Sequence, residues 1–138
     1  TWHWLPTGMA PLPLLALERI AQGVRGYLTF FDENPAIVEL LIHERAHFRD
    51  RKQSTYFVHR EANLGPWREL FRGLIDAGVV RDQPVEHIIE VISGLVYGTM
   101  FTNYFAGRKS NLASQCENIL NVVFNGILIP QEDAKHDK

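Results

Sequence analysis

From Pro13 to Asp32 the apolar residues Leu17, Ile20, Ala21, Val24, Tyr27, Leu28 and Phe31 return at steps of three and four, the period that keeps one helical stripe turned to a core. The segment "FDENP" ends this first helix: Asp32 and Asn34 are turn and capping residues, and Pro35 suits the first position of a second helix that runs to about Lys52. Ser54 or Thr55 can cap a third helix carrying Tyr56, Phe57, Trp67, Leu70, Phe71, Leu74 and Ile75, with Gly65-Pro66 as a kink or break within it. "DAGVVRDQP" then reads as a stop with Gly78 at the C-terminal cap, and as a new start at Asp82 or Gln83 before Pro84. A fourth helix is expected over 85–106 and a fifth from about Asn111 to Leu128.

No stretch alternates apolar and polar residues between hairpin turns, so the expected fold is all-α, a bundle of about five main helices. The opening "TWHWLPTGMAPL" (1–12) reads as an irregular arm, 13–129 as one helical domain, and 130–138 as a frayed tail. The fourth helix is apolar on nearly all sides. One face serves the core, and another needs a second apolar partner. With a second stripe on the fifth helix, the chain is expected to pair as a homodimer through Val91, Gly94, Leu95, Gly98, Ile119, Val123 and Ile127, the two glycines allowing close helix approach.

At 138 residues and 46% hydrophobic the chain can bury one core without staples, and a net charge of −2 offers no basic surplus for gripping nucleic acid. The single cysteine, Cys116, cannot close an internal disulfide, no run is long enough for a membrane span, and a cytoplasmic setting is expected. The chain begins at Thr1 rather than Met, so a preceding segment is expected.

"LLIHERAHFRD" contains His43-Glu44-Arg45-Ala46-His47, the H-E-x-x-H pattern of zinc peptidases. A catalytic zinc also needs a third ligand and an open water position. Asp50 and Gln53 stand where the extended motif wants Gly and His, and Glu61 and Glu69 have no supporting motif around them. By helical phase Ile37, Leu41, Glu44 and Phe48 share one side, which turns Glu44 inward and leaves His43 and His47 on a flank. An inward Glu44 and an inward Arg60 would seek each other as an ion pair. The string is therefore read as a helix flank and the chain as no enzyme. A zinc enzyme using His43, Glu44 and His47, and a metal-responsive regulator using His43, His47 and His59, are the alternatives.

The order of "FFDENP", the connection "LIDAGVVRDQP" and the glycine-spaced "GLVYGTMF" resembles the C-terminal, effector-binding domain of TetR-type bacterial transcriptional regulators over roughly Leu14 to Leu128. The resemblance implies a ligand pocket among the middle helices, a dimer formed by the last two helices of each subunit, and DNA binding only through an N-terminal helix-turn-helix domain that this chain lacks. It implies a repressor whose effector is small and hydrophobic or amphipathic, with no cofactor and no membrane partner. The pocket candidates are Tyr27, Phe31, Phe48, Tyr56, Trp67, Phe71, Tyr97 and Phe101, with Glu44, His59 and Asn63 as polar contacts. Core packing is the plain alternative for each aromatic.

Overall fold

The computed structural model describes residues 2–47, 63–107 and 111–129. Among these residues there are five helices and no strand: α1 (Pro11–Glu33), α2 (Pro35–His47), α3 (Gly65–Asp76), α4 (Val85–Ala106) and α5 (Leu112–Asn125). The candidates Phe48, Tyr56 and His59, the expected Glu44 partner Arg60, and the first half of the expected third helix lie outside the described residues.

The centre of the bundle is α1, which packs against each of the other four helices. Its buried residues Leu17, Ile20, Ala21, Val24 and Leu28 keep the spacing read from the sequence. At the junction Asn34 leaves the helical conformation, its side-chain amide donates to the Phe30 carbonyl at 2.8 Å, and Pro35 opens α2. Proline disfavours helix in the residue before it, and Asn34 separates α1 from α2. Helix α3 starts at Gly65-Pro66, with Leu64 at its N-cap in the right-handed helical region. Gly78 follows its end with φ +75, and the Leu74 carbonyl accepts from the backbone of Val79 and Val80. Pro84 itself, rather than Asp82 or Gln83, occupies the N-cap of α4.

Side chains tie the outer helices together. The Tyr104 hydroxyl of α4 donates to Glu39 of α2 at 2.7 Å, which holds that phenol above its usual pKa. Arg68 of α3 donates to Glu86 of α4 through Nε and Nη2, a surface contact worth at most about 1 kcal/mol. Asn103 is the buried polar residue of α4. It exchanges two amide hydrogen bonds with Gln115 of α5, at 2.8 and 2.9 Å, so its burial leaves no amide group unmet.

Two expectations need correction. The fifth helix ends at Asn125, not Leu128, because Gly126 takes φ +73 and its N–H closes back on the Val122 carbonyl at 2.8 Å. Ile127 therefore lies beyond the helix, 83% exposed, together with exposed Leu128 and Ile129. The N-terminal arm is irregular as expected but ends at Ala10, and it is not loose. Trp4 is 5% exposed and stacks on Phe124 of α5 with ring centroids 4.9 Å apart.

No helix among the described residues is long and apolar enough to cross a membrane. Cys116 is fully buried on α5, and desolvation raises its thiol pKa, so it is held as the neutral thiol.

Candidate functional site

Four helical segments surround a cavity of about 420 Å³. Helix α1 supplies Gly23, Val24, Tyr27 and Phe31, the successive turns beside its buried stripe. Helix α2 supplies Ile37 and Leu41. Asn63, Leu64, Trp67 and Phe71 come from the start of α3 and the residues before it, and Ile89, Ile92, Ser93 and Val96 from one face of α4. The volume is that of a small-molecule pocket, and the walls are mostly aliphatic and aromatic, with Tyr27, Asn63 and Ser93 the lining residues that carry polar groups. Such a space favours an apolar body with one or two hydrogen-bonding groups.

Of the sequence-derived candidates, Tyr27, Phe31, Asn63, Trp67 and Phe71 wall this cavity. Tyr97 and Phe101 do not. They pack edge to face on each other at 4.7 Å, on the turn of α4 that lies past the lining residues Ile89, Ile92, Ser93 and Val96. At about 100° per residue, positions 97 and 101 fall progressively further round the helix from that face. Glu44 is half-buried, as its phase requires, but is not part of the described wall. Ile37 and Leu41, read from the sequence only as a helix stripe, prove to be its α2 side.

Trp67 owes its position to Gly23. A Cβ built at Gly23 would overlap the far edge of the Trp67 indole, so the ring lies directly on the α1 backbone. Gly23→Ala is expected to push the ring aside at a cost of about 1–3 kcal/mol, against which alanine returns about 1 kcal/mol of helix propensity. The expected net effect is a fall in melting temperature together with a red shift of tryptophan emission, read by thermal denaturation and fluorescence. An unchanged emission spectrum would show that the close approach does not fix the indole.

The HERAH string lies at the end of α2. His43 and His47 are exposed, with their rings stacked at a centroid distance of 4.0 Å, and His47 Nδ1 lies 3.1 Å from the His43 carbonyl, which accepts from it in the Nδ1–H tautomer. Among the described residues no group of three or more His, Cys, Asp or Glu is gathered as a metal-binding set. Replacing His43 and His47 together by Gln is expected to change stability by no more than about 0.5 kcal/mol and to leave metal content unaltered. Zinc content that drops on removing either histidine would make the metal readings the leading ones.

A second feature is a set of exposed apolar residues on α4. On α4, Val91 is 60% and Leu95 42% exposed, and Phe105 is 70% exposed. Gly94 and Gly98 lie beside them, and a Cβ added at either would meet nothing within 4 Å. On α5 the exposed apolar residue is Val122, at 50%. Val123 and Ile119, expected at the interface, are half-buried, and Ile119 packs against the core. No match to this chain is found among protein-family models, curated proteins or solved structures, so its own residues carry the functional reading.

Proposed function

We propose that the chain is the effector-sensing and dimerisation domain of a TetR-like transcriptional regulator, reading DNA only through a helix-turn-helix domain outside this sequence. The observation that carries the reading is a mostly apolar cavity whose α4 wall belongs to the helix that also presents an exposed apolar stripe. Ile89, Ile92, Ser93 and Val96 face the cavity, while Val91, Gly94, Leu95 and Gly98 face away from the core. Any effector that shifts α4 on binding therefore also shifts the surface that meets a second subunit. An effector with unequal affinity for two positions of α4 moves the equilibrium between them, and a partner across a two-fold axis converts that into a change in the spacing of attached DNA-binding domains.

The glycines support the same reading. Glycine inside a helix costs about 1 kcal/mol relative to alanine. Among the described residues nothing lies within 4 Å of where a side chain at Gly94 or Gly98 would begin. A second helix approaching that face would. Native mass spectrometry of the untagged chain tests both halves at once: the expected species is a dimer that releases an apolar small molecule on denaturation or takes one up when offered. A monomer that neither carries nor accepts one would end the proposal.

A further inference from the structure

Beyond α5 the backbone continues as an apolar run. Gly126 takes φ +73, its N–H closes back on the Val122 carbonyl, and Ile127, Leu128 and Ile129 follow at 83%, 85% and 80% exposure. A single exposed aliphatic residue is ordinary, but a contiguous run that adjoins other exposed apolar residues marks an interaction surface. The run starts beside such residues. Val123, Phe124 and Asn125 of α5 border the same pocket as Ile88 and Ile92 of α4, so residues 127–129 leave the bundle next to the half of α4 on which Val91 and Leu95 are exposed.

Area indicates what the run covers. A specific interface buries about 800 Å² per partner, of which roughly 450 Å² is apolar. Val91, Leu95 and Phe105 of α4 with Val122 of α5, at their observed exposures, offer about 200–350 Å² of apolar side-chain surface, which falls short. Ile127, Leu128 and Ile129 add about 150–300 Å², which closes the gap. We propose that residues 127–129 are an exchanged arm: in a two-fold dimer the run of each subunit lies across the exposed α4 stripe of a second copy of this chain. Two-fold symmetry makes the contact occur twice, each subunit giving an arm and receiving one. The inference rests on the dimerisation half of the proposed function, and adds that contact between helices alone does not complete the interface. Ile127, expected as one rung of an α5 stripe, meets the partner from a segment beyond the helix instead.

Analytical ultracentrifugation of the wild type and of the triple variant Ile127→Ser/Leu128→Ser/Ile129→Ser measures the contribution of the arm. All three side chains are exposed, so helical content is expected to stay the same while the dimer dissociation constant rises about ten- to a hundredfold. Cross-linking locates the arm. Leu128→Cys protein mixed with Val91→Cys protein is expected to give a disulfide-linked heterodimer under mild oxidation, with the native Cys116 buried and out of reach. An unchanged dissociation constant, or a mixture that yields no linked heterodimer, overturns the arm while leaving a dimer built from helices alone standing. So does linkage within one chain when both cysteines are placed on it. A wild-type monomer overturns the arm and the dimer together. Binding to phosphatidylglycerol vesicles that the triple variant loses, with dimerisation unaltered, would assign the run to a lipid surface and likewise overturn it.

Discussion

Glutamate at both Val91 and Leu95 is expected to turn a dimer into a monomer that remains folded. Both side chains are exposed on one stripe of α4, so within a subunit the charges meet water and helical content should be unaffected. In a two-fold dimer each substitution occurs twice across a self-complementary face, placing four carboxylates in a contact that was apolar. Burying an unpaired charge costs several kcal/mol. A combined penalty of about 4 kcal/mol already raises the dissociation constant roughly a thousandfold. Sedimentation velocity at micromolar concentration, paired with circular dichroism, reads the outcome. A wild-type monomer, or a variant that still dimerises, would contradict the assignment of this face.

Phe71→Ala is the substitution expected to cost the most stability. Phe71 is 1% exposed and lines both the α1–α4 cavity and a pocket bordered by Trp4, Val79 and Val80, so removing its ring is expected to join these two cavities instead of leaving a void the core can collapse around. Truncating a buried phenylalanine costs about 3–5 kcal/mol, rising with the volume left empty. Urea denaturation at one fixed protein concentration is the appropriate measurement, because the stability of the proposed dimer would depend on concentration. A loss below about 1 kcal/mol would mean that the walls close in and that neither cavity is held open by the fold. A bound apolar ligand should offset part of the loss by mass action.

Most of the architecture was legible because helix periodicity and helix punctuation are local signals. The α1 stripe, the Asn34-Pro35 junction, Gly78 after α3 and the bounds of α4 follow from residues within a turn of one another. The stop at Gly126 was missed because the apolar run Ile127-Leu128-Ile129 continues the pattern, and only the left-handed glycine interrupts it. Within α5 the exposed valine is Val122, and Val123 is half-buried.

The cavity was less legible, since facing residues meet there from separate helices. Tyr27, Phe31, Trp67 and Phe71 could be listed as aromatics on inward faces, but Tyr97 and Phe101 satisfied the same criterion and pack on each other instead. Gly23 carries no side chain to signal that it seats an indole, and Trp4 stood in a segment whose prolines and aromatics suggested an irregular arm. Side-chain size and periodicity show which way a residue faces. They do not show whether the space in front of it is filled.

Whether the α1–α4 cavity is a ligand site is tested most directly by titrating the wild-type chain and Ser93→Phe in parallel with the apolar fluorophore N-phenyl-1-naphthylamine. Ser93 lines only that cavity, and a phenyl ring there should occupy it. The expected result is a saturable fluorescence rise with the wild type that Ser93→Phe removes while keeping its helical content. A rise of equal amplitude and midpoint in both proteins, or none that saturates in either, would contradict the account.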